Sequence, residues 1–332
     1  MKKFLAWLLA AALIVSCGCT AGAEAASDNH LFLKVSAITF SLVGESEDIY
    51  LGLAPREQVS WESENPDVVS VENGVLTANG VGTTTIRATY GDQQVTCTAG
   101  CLAETKEALD ALPSDVLSAP TRLPPEVDLE EPCTYFDDAA LIGDSITYFL
   151  WQSESQNNYL GDILFVTRQG ISILGLVLRS KNMYFEGQEM YIEDIVAQCK
   201  AKRVYLALGC LDFQFDAGRD SLMDSWNTLL DRIAEKSPDT QVVIVSNIPS
   251  FTDKTKSEIN DFIASSAVQL RALAAEKGCG YIDLGYYVQD HYGRMPQIYS
   301  KDDYHMNAEG CLVWMQIMRY YAQYEREGGT LW

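Results

Sequence analysis

Hydrophobic positions change their period twice along the chain. From about His30 to Gly100 they alternate with polar ones in short runs, such as Val68-Val69-Ser70-Val71, Gly74-Val75-Leu76 and Thr83-Thr84-Thr85-Ile86-Arg87-Ala88, with turn residues between them. A period of two broken by turns marks half-buried strands, so an all-β module of roughly 70 residues is expected at 30–100, the size of a small sandwich. Residues 101–133 lose this pattern and hold five of the ten prolines, Pro113, Pro120, Pro124, Pro125 and Pro132, among Asp and Glu. Proline stiffens a chain and like charge extends it, which predicts a semi-rigid acidic linker with one short helix near Glu104 to Leu112. From 134 to 332 apolar runs at Ala139–Ile142, Ile163–Thr167, Arg203–Leu208, Gln241–Ser246 and Gly280–Leu284 alternate with helical stretches near Met190–Lys200, Ser221–Lys236, Ser257–Lys277 and Ala308–Tyr324. Such alternation predicts an α/β domain: a parallel sheet covered on both faces, with its site at the carboxyl ends of the strands.

Lys2 and Lys3 precede an apolar run from Phe4 to Val15 and then small residues, the layout of a processing signal. The run is shorter than the roughly 20 residues a spanning helix needs. Ile14-Val15-Ser16-Cys17 resembles the lipobox of bacterial lipoprotein signal peptides. That resemblance implies lipidation of Cys17, residues 1–26 as signal and tether, and an anchor on the membrane outside the cytoplasm. An ordinary cleaved signal ending near Ala21 to Ala26 is the alternative. The 24 Lys and Arg stand against 46 Asp and Glu, and the formal charge of -22 repels nucleic acid and anionic head groups. Cysteine spacing makes no metal motif. A domain of this size buries a core without staples, so free buried thiols are expected at Cys199, Cys279 and Cys311.

Within the first module, Trp61-Glu62-Ser63-Glu64-Asn65-Pro66-Asp67-Val68, then Gly74-Val75-Leu76-Thr77-Ala78 and Gly82-Thr83-Thr84-Thr85-Ile86, resembles the bacterial immunoglobulin-like group 2 domain. The resemblance makes Trp61 a core residue and implies a spacer or adhesion role, with contact to the cell wall.

The first strand of the α/β region ends in Ile142-Gly143-Asp144-Ser145, where a helix can begin at once and present the Ser hydroxyl at the sheet edge. Near the end of the chain, Asp302-Asp303-Tyr304-His305-Met306-Asn307 precedes the last helix. A serine hydroxyl is a poor nucleophile until a base takes its proton, and an Asp three residues before a His can fold back onto the imidazole Nδ1. Of the three histidines, His30 precedes the domain and His291, between Asp290 and Tyr292, is expected on a surface loop, leaving His305 as base. Asn307 is expected to cap the last helix. The order Ser, Asp, His with the last two nearly adjacent resembles the SGNH/GDSL hydrolases. The likeness implies a three-layer α/β/α, flavodoxin-like fold and a catalytic Ser145, Asp302 and His305.

The same resemblance implies an oxyanion hole built from the N–H of Ser145, a Gly N–H from Gly170 in Thr167-Arg168-Gln169-Gly170, and an Asn side chain. In Leu208-Gly209-Cys210-Leu211-Asp212, Leu211 occupies that Asn position and cannot donate. Asn247 is the favoured substitute, with Gln169 and Gln214 as alternatives, and two backbone donors alone are a further option. No phosphate-binding glycine loop or zinc cluster is visible, and the implied chemistry needs no metal or organic cofactor. The resemblance thus implies an extracytoplasmic ester hydrolase, or an O-acetyltransferase using the same residues, with an O-acetylated glycan or small acyl ester as substrate. Leu211 keeps open a second reading, a weak or inactive surface protein that binds carbohydrate or mediates adhesion.

Overall fold

A computed structural model describes residues 30–131, 133–251 and 257–331. Residues 1–26, and Cys17 with them, lie outside these. Among the described residues the α/β sheet has five strands: β1 (Ala139–Gly143), β2 (Leu164–Thr167), β3 (Arg203–Ala207), β4 (Gln241–Val245) and β5 (Gly280–Ile282). All pair in parallel, in the order 2-1-3-4-5. That order reverses between β1 and β3, the switch point where open α/β sheets form their crevice.

Alternate residues of each strand face opposite layers. Leu141, Tyr205, Val243 and Ile282 pack with Ile146 and Leu150 of helix α1 (Ser145–Asn157) and with Trp314 and Met318 of the last helix. Ala140, Ile142, Val204, Leu206 and Ile244 pack on the other face. There they meet Ile195 of helix α3 (Ile192–Cys199), Trp226 and Leu229 of helix α4 (Leu222–Lys236) and Leu270 of helix α5 (Ser257–Lys277). A short helix α2 (Ile173–Val177) follows β2, and α6 (Ala308–Arg326) ends the domain. Asn307 caps α6, its side-chain oxygen accepting the Gly310 N–H at 3.0 Å.

The N-terminal module is all β. A sheet ordered Arg122–Leu123, Ala37–Leu42, Gln93–Ala103, Gly82–Tyr90, Ser60–Ser63 accompanies a three-stranded sheet of Ser46–Asp48, Val75–Ala78 and Val69–Glu72. Trp61 packs partly buried in this module with its ring 6.4 Å from that of Tyr50. The seven described cysteines are all free thiols.

Two expectations need correction. The stretch 101–133 is not an extended linker in its described part. The short helix expected near Glu104 to Leu112 is there, at Lys106–Asp110, but the strand Gln93–Ala103 runs into the stretch, a second helix forms at Ser114–Leu117, and Arg122–Leu123 adds an edge strand against Ile38 and Ala37. His291 is not a surface residue either: half-buried, it bonds Ser41 Oγ through Nδ1 at 2.8 Å. Burial first, and then the Arg122 charge, lowers its pKa to about 4. It therefore sits neutral in a joint between the two modules.

That joint continues the core. Phe32 inserts between Tyr320 and Tyr324 of α6, with ring centroids 5.7 and 5.4 Å away. The hydroxyls of Tyr320, Tyr324 and Tyr287 donate to the carbonyls of Leu33, Leu51 and Lys34 at 2.6, 2.9 and 2.9 Å. Buried residues of both modules form one cluster, so the β module is a docked part of the fold. Replacing Phe32 with Ala is expected to destabilise the whole chain by about 3–5 kcal/mol, the range for deleting a buried aromatic ring. Urea unfolding should show both modules melting in one transition that moves as a unit. Two separate transitions, with only the first shifted, would refute the shared core.

Candidate active site

Ser145 is the first residue of α1, directly after β1. The turn between them is tight because Gly143 has no side chain: a Cβ there would lie 1.9 Å from Thr147 Oγ1 and 2.5 Å from the Ala207 carbonyl oxygen. Asp144 caps the helix, its Oδ1 accepting the Ile146 N–H at 3.0 Å, while Oδ2 accepts the Cys210 N–H at 3.1 Å from the loop after β3. The Ser145 N–H, in the first turn, has no intrahelical partner and points out of the helix end.

His305 reaches this hydroxyl from the loop before α6, with Nε2 2.9 Å from Ser145 Oγ. On its other side Nδ1 lies 2.9 Å from both carboxylate oxygens of Asp302. A carboxylate only accepts, so Nδ1 carries the proton and Nε2 is left as the acceptor for the serine. The Asp302 Oδ1 also accepts the N–H groups of Tyr304 and His305, both at 2.9 Å, which closes the loop on itself. Partial burial would raise the Asp302 carboxyl, but these N–H bonds and the imidazole outweigh it and hold it below the usual range. The carboxylate stays charged and keeps the imidazole in this tautomer. The loop is pinned from outside as well: the Phe251 N–H donates to Asp303 O at 2.9 Å and Asn307 Nδ2 to Ile298 O at 2.7 Å.

Gly170 occupies the exposed turn after β2 with a φ of +68°, a left-handed conformation that glycine adopts without strain. Lys181 Nζ donates to its carbonyl at 2.6 Å, and among the described residues its N–H meets no acceptor. Leu211 lies half-buried at the start of a single 3-10 turn, Asp212–Gln214. Asn247 does sit after β4, and one of its two amide N–H groups donates to Leu208 O at 3.1 Å, close to Gly209. The Asn247 contact found is structural. Gln169 and Gln214 are exposed.

Asp212 and Asp144, which the sequence reading gave no role, contribute here, as does Phe149 of the aromatic run Tyr148–Trp151, read from sequence as core or pocket wall. Asp212 is fully buried and accepts the N–H groups of Ile173 and Leu174 at 2.8 and 3.1 Å, fastening the loop after β3 to the start of α2. Asp144 is its counterpart at the nucleophile. Burial pushes its carboxyl up to about 6 against the pull of its two N–H bonds. Phe149 packs edge-on against His305 at 4.8 Å between ring centroids. Its spacing of four from Ser145 on a helix was a usable signal, since such residues share a face. Cys210 stands near the site, but burial and then the charges of Asp144, Asp212 and Asp302 push its thiol well up, so it stays protonated and is no rival nucleophile.

Residues 141–312 match the GDSL-like Lipase/Acylhydrolase family, and residues 43–99 match the Bacterial Ig-like domain (group 2). No curated protein matches the sequence. Among solved structures, a GDSL-like lipase from Bacteroides thetaiotaomicron is 14% identical, covering 59% of this chain and 92% of its own, with a TM-score of 0.44. A variant of Axe2, an acetyl xylan esterase from Geobacillus stearothermophilus, is 17% identical over 55% of this chain and 93% of its own, with a TM-score of 0.39. A member of the lipolytic protein G-D-S-L family from Veillonella parvula is 20% identical over 56% and 96%, with a TM-score of 0.39. The family match spans more than half of the chain, which therefore belongs to the GDSL-like lipase/acylhydrolase family, with a bacterial Ig-like domain of group 2 ahead of the family's region.

Proposed function

We propose that the chain is a serine esterase acting outside the cytoplasm, tethered to the membrane through a lipid on Cys17, that removes O-acetyl groups from a glycan. The observation that carries the catalytic part is the unbroken relay from Ser145 Oγ through both nitrogens of His305 to Asp302. Ser145 attacks the ester carbonyl while His305 Nε2 takes its proton, and Asp302 stabilises the imidazolium that results. The oxyanion accepts from the N–H groups of Ser145 and Gly170. Collapse releases the alcohol with the proton returned by His305, and water then repeats the sequence on the acyl-serine.

The surroundings favour a small acyl group on a hydrated alcohol. Beside His305 the cleft is an open depression lined by Gln297, Ser300, Lys301, Asp303 and Tyr304, with Phe251 as its aromatic wall. A long acyl chain needs an enclosed apolar channel. The location rests on the signal-like segment and its Cys17, and the Ig-like module would hold the domain against a wall polymer. Leu211 favours a second reading, a surface protein that binds glycan without turnover. The aligned relay weighs against it, because nothing in passive binding requires that geometry.

Ser145→Ala is expected to lower kcat for an activated aryl acetate by a factor on the order of 10⁴ or more. Turnover that survives in the variant would remove the relay from the mechanism. Leu211→Asn, which supplies the missing donor, should raise kcat by about tenfold to a hundredfold, and an unchanged or lower rate would show that two backbone donors already complete the site. Asp144 gives a pH test. Its carboxyl titrates at about 6 in the fold against an ordinary 3.8, so the native state holds an extra proton between those values. The stability this lends is complete below about pH 4 and is lost as pH rises through about 6. The unfolding free energy of Asp144→Asn minus that of the parent should therefore climb across this window, by up to about 3 kcal/mol. A difference flat in pH would show that Asp144 titrates at its ordinary value.

A further inference from the structure

Helix α1 carries more than the nucleophile. At about 1.5 Å of rise per residue, Tyr148 and Trp151 stand roughly 4.5 and 9 Å along its axis from Ser145. Phe149 is taken up by the site, between the His305 ring and Lys301 Nζ, which lies 3.6 Å from its centroid. Tyr148 and Trp151 are not. Their ring centroids are 5.6 Å apart at an interplanar angle of 42°, Trp151 is 42% exposed, and the Tyr148 hydroxyl accepts from Gln152 Nε2 at 3.3 Å. Neither ring belongs to a buried core cluster, although Leu150 between them is fully buried. A partly exposed tryptophan one helical turn beyond a half-buried tyrosine, on the helix that begins at Ser145, puts two neighbouring rings within reach of a ligand.

We propose that Tyr148 and Trp151 form a stacking platform for successive sugar rings of the alcohol portion of the substrate, which makes the substrate class an O-acylated, uncharged oligosaccharide or polysaccharide. The proposal rests on the esterase reading above and names its substrate. The negative face of an aromatic ring attracts the C–H-bearing face of a pyranose, and two rings in line along the helix suit two consecutive sugar units. Hydroxyl partners border the platform at Tyr148 and Gln152, as a sugar needs and an acyl chain does not. The depression beside His305 is polar and open, so a lipid tail would find no apolar enclosure there. A chain with a formal charge of -22 repels an acidic polysaccharide, which leaves a neutral one.

The test compares partially O-acetylated β-1,4-linked tetrasaccharides of glucose, xylose and N-acetylglucosamine with an activated aryl acetate. In Trp151→Ala the ratio of kcat/KM for the preferred tetrasaccharide to that for the aryl ester should fall by about tenfold, and Tyr148→Ala should move it in the same direction. Trp151→Phe, which keeps a ring, should recover part of the loss. A ratio that stays within about twofold of the parent in Trp151→Ala overturns the platform. Binding is measured separately, by titration calorimetry of the tetrasaccharides into Ser145→Ala protein, with and without Trp151→Ala. Affinity that is independent of Trp151 also overturns the proposal. Trp151-dependent binding in a protein without Ser145-dependent turnover would uphold the platform and reject the esterase reading, so the two can fail separately.

Discussion

Two buried carboxylates brace the loops on which the site depends. Asp144 ties the start of α1 to the loop after β3 through the N–H groups of Ile146 and Cys210. Asp212, in that second loop, ties it to the start of α2 through Ile173 and Leu174. These links run across the switch point of the sheet, from the strand that ends at the nucleophile to the loop where Leu211 sits and on to the turn that holds Gly170. A buried carboxylate loses its hydration, and charge-assisted bonds to backbone N–H groups offset only part of that loss. The raised carboxyl of Asp144 records what remains. The result is that the start of α1, the loop after β3 and the start of α2 are held to one another at this edge of the sheet.

Most of the architecture could be read along the chain because it follows from period and caps. The five α/β strands lie where the apolar runs stand, each within a residue or two, and α6 begins after Asn307 as an Asn cap predicts. What escaped depends on partners far away in sequence. The prolines and acids of 101–133 say extension locally, yet Arg122 and Leu123 find a strand edge at Ile38 and Ala37. His291 reads as exposed between Asp290 and Tyr292, but Ser41 waits for it 250 residues earlier. Asn247 was placed on the correct edge of the sheet. Its side chain answers to the Leu208 carbonyl beside it, a contact with no signature in either segment.

The position of Leu211 has a physical logic. An amide side chain there would need its own partners in the ground state, whereas Leu211 packs half-buried and leaves the turn to be fixed by Asp144 and Asp212 from either side. The backbone of that loop keeps its place without the Asn side chain that the resemblance implies. If the proposed chemistry holds, what is given up is a donor aimed at the transition state, an interaction that adds to rate and little to stability.

Helix α6 joins the chemistry to the rest of the chain. Its first turn follows the His305 loop, and Tyr320 and Tyr324 stand about 18 and 24 Å along its axis from Ala308. One end therefore adjoins the loop of His305, while the other is covered by Phe32 and by carbonyls of the Ig-like module. Without that module the tyrosine hydroxyls could turn to water at little cost. Their rings and the apolar face beneath them could not, and exposing apolar area costs about 25 cal/mol per Å². The Ig-like module is thus the outer layer of the helix whose first turn follows the His305 loop, joined to it by apolar packing instead of a flexible tether.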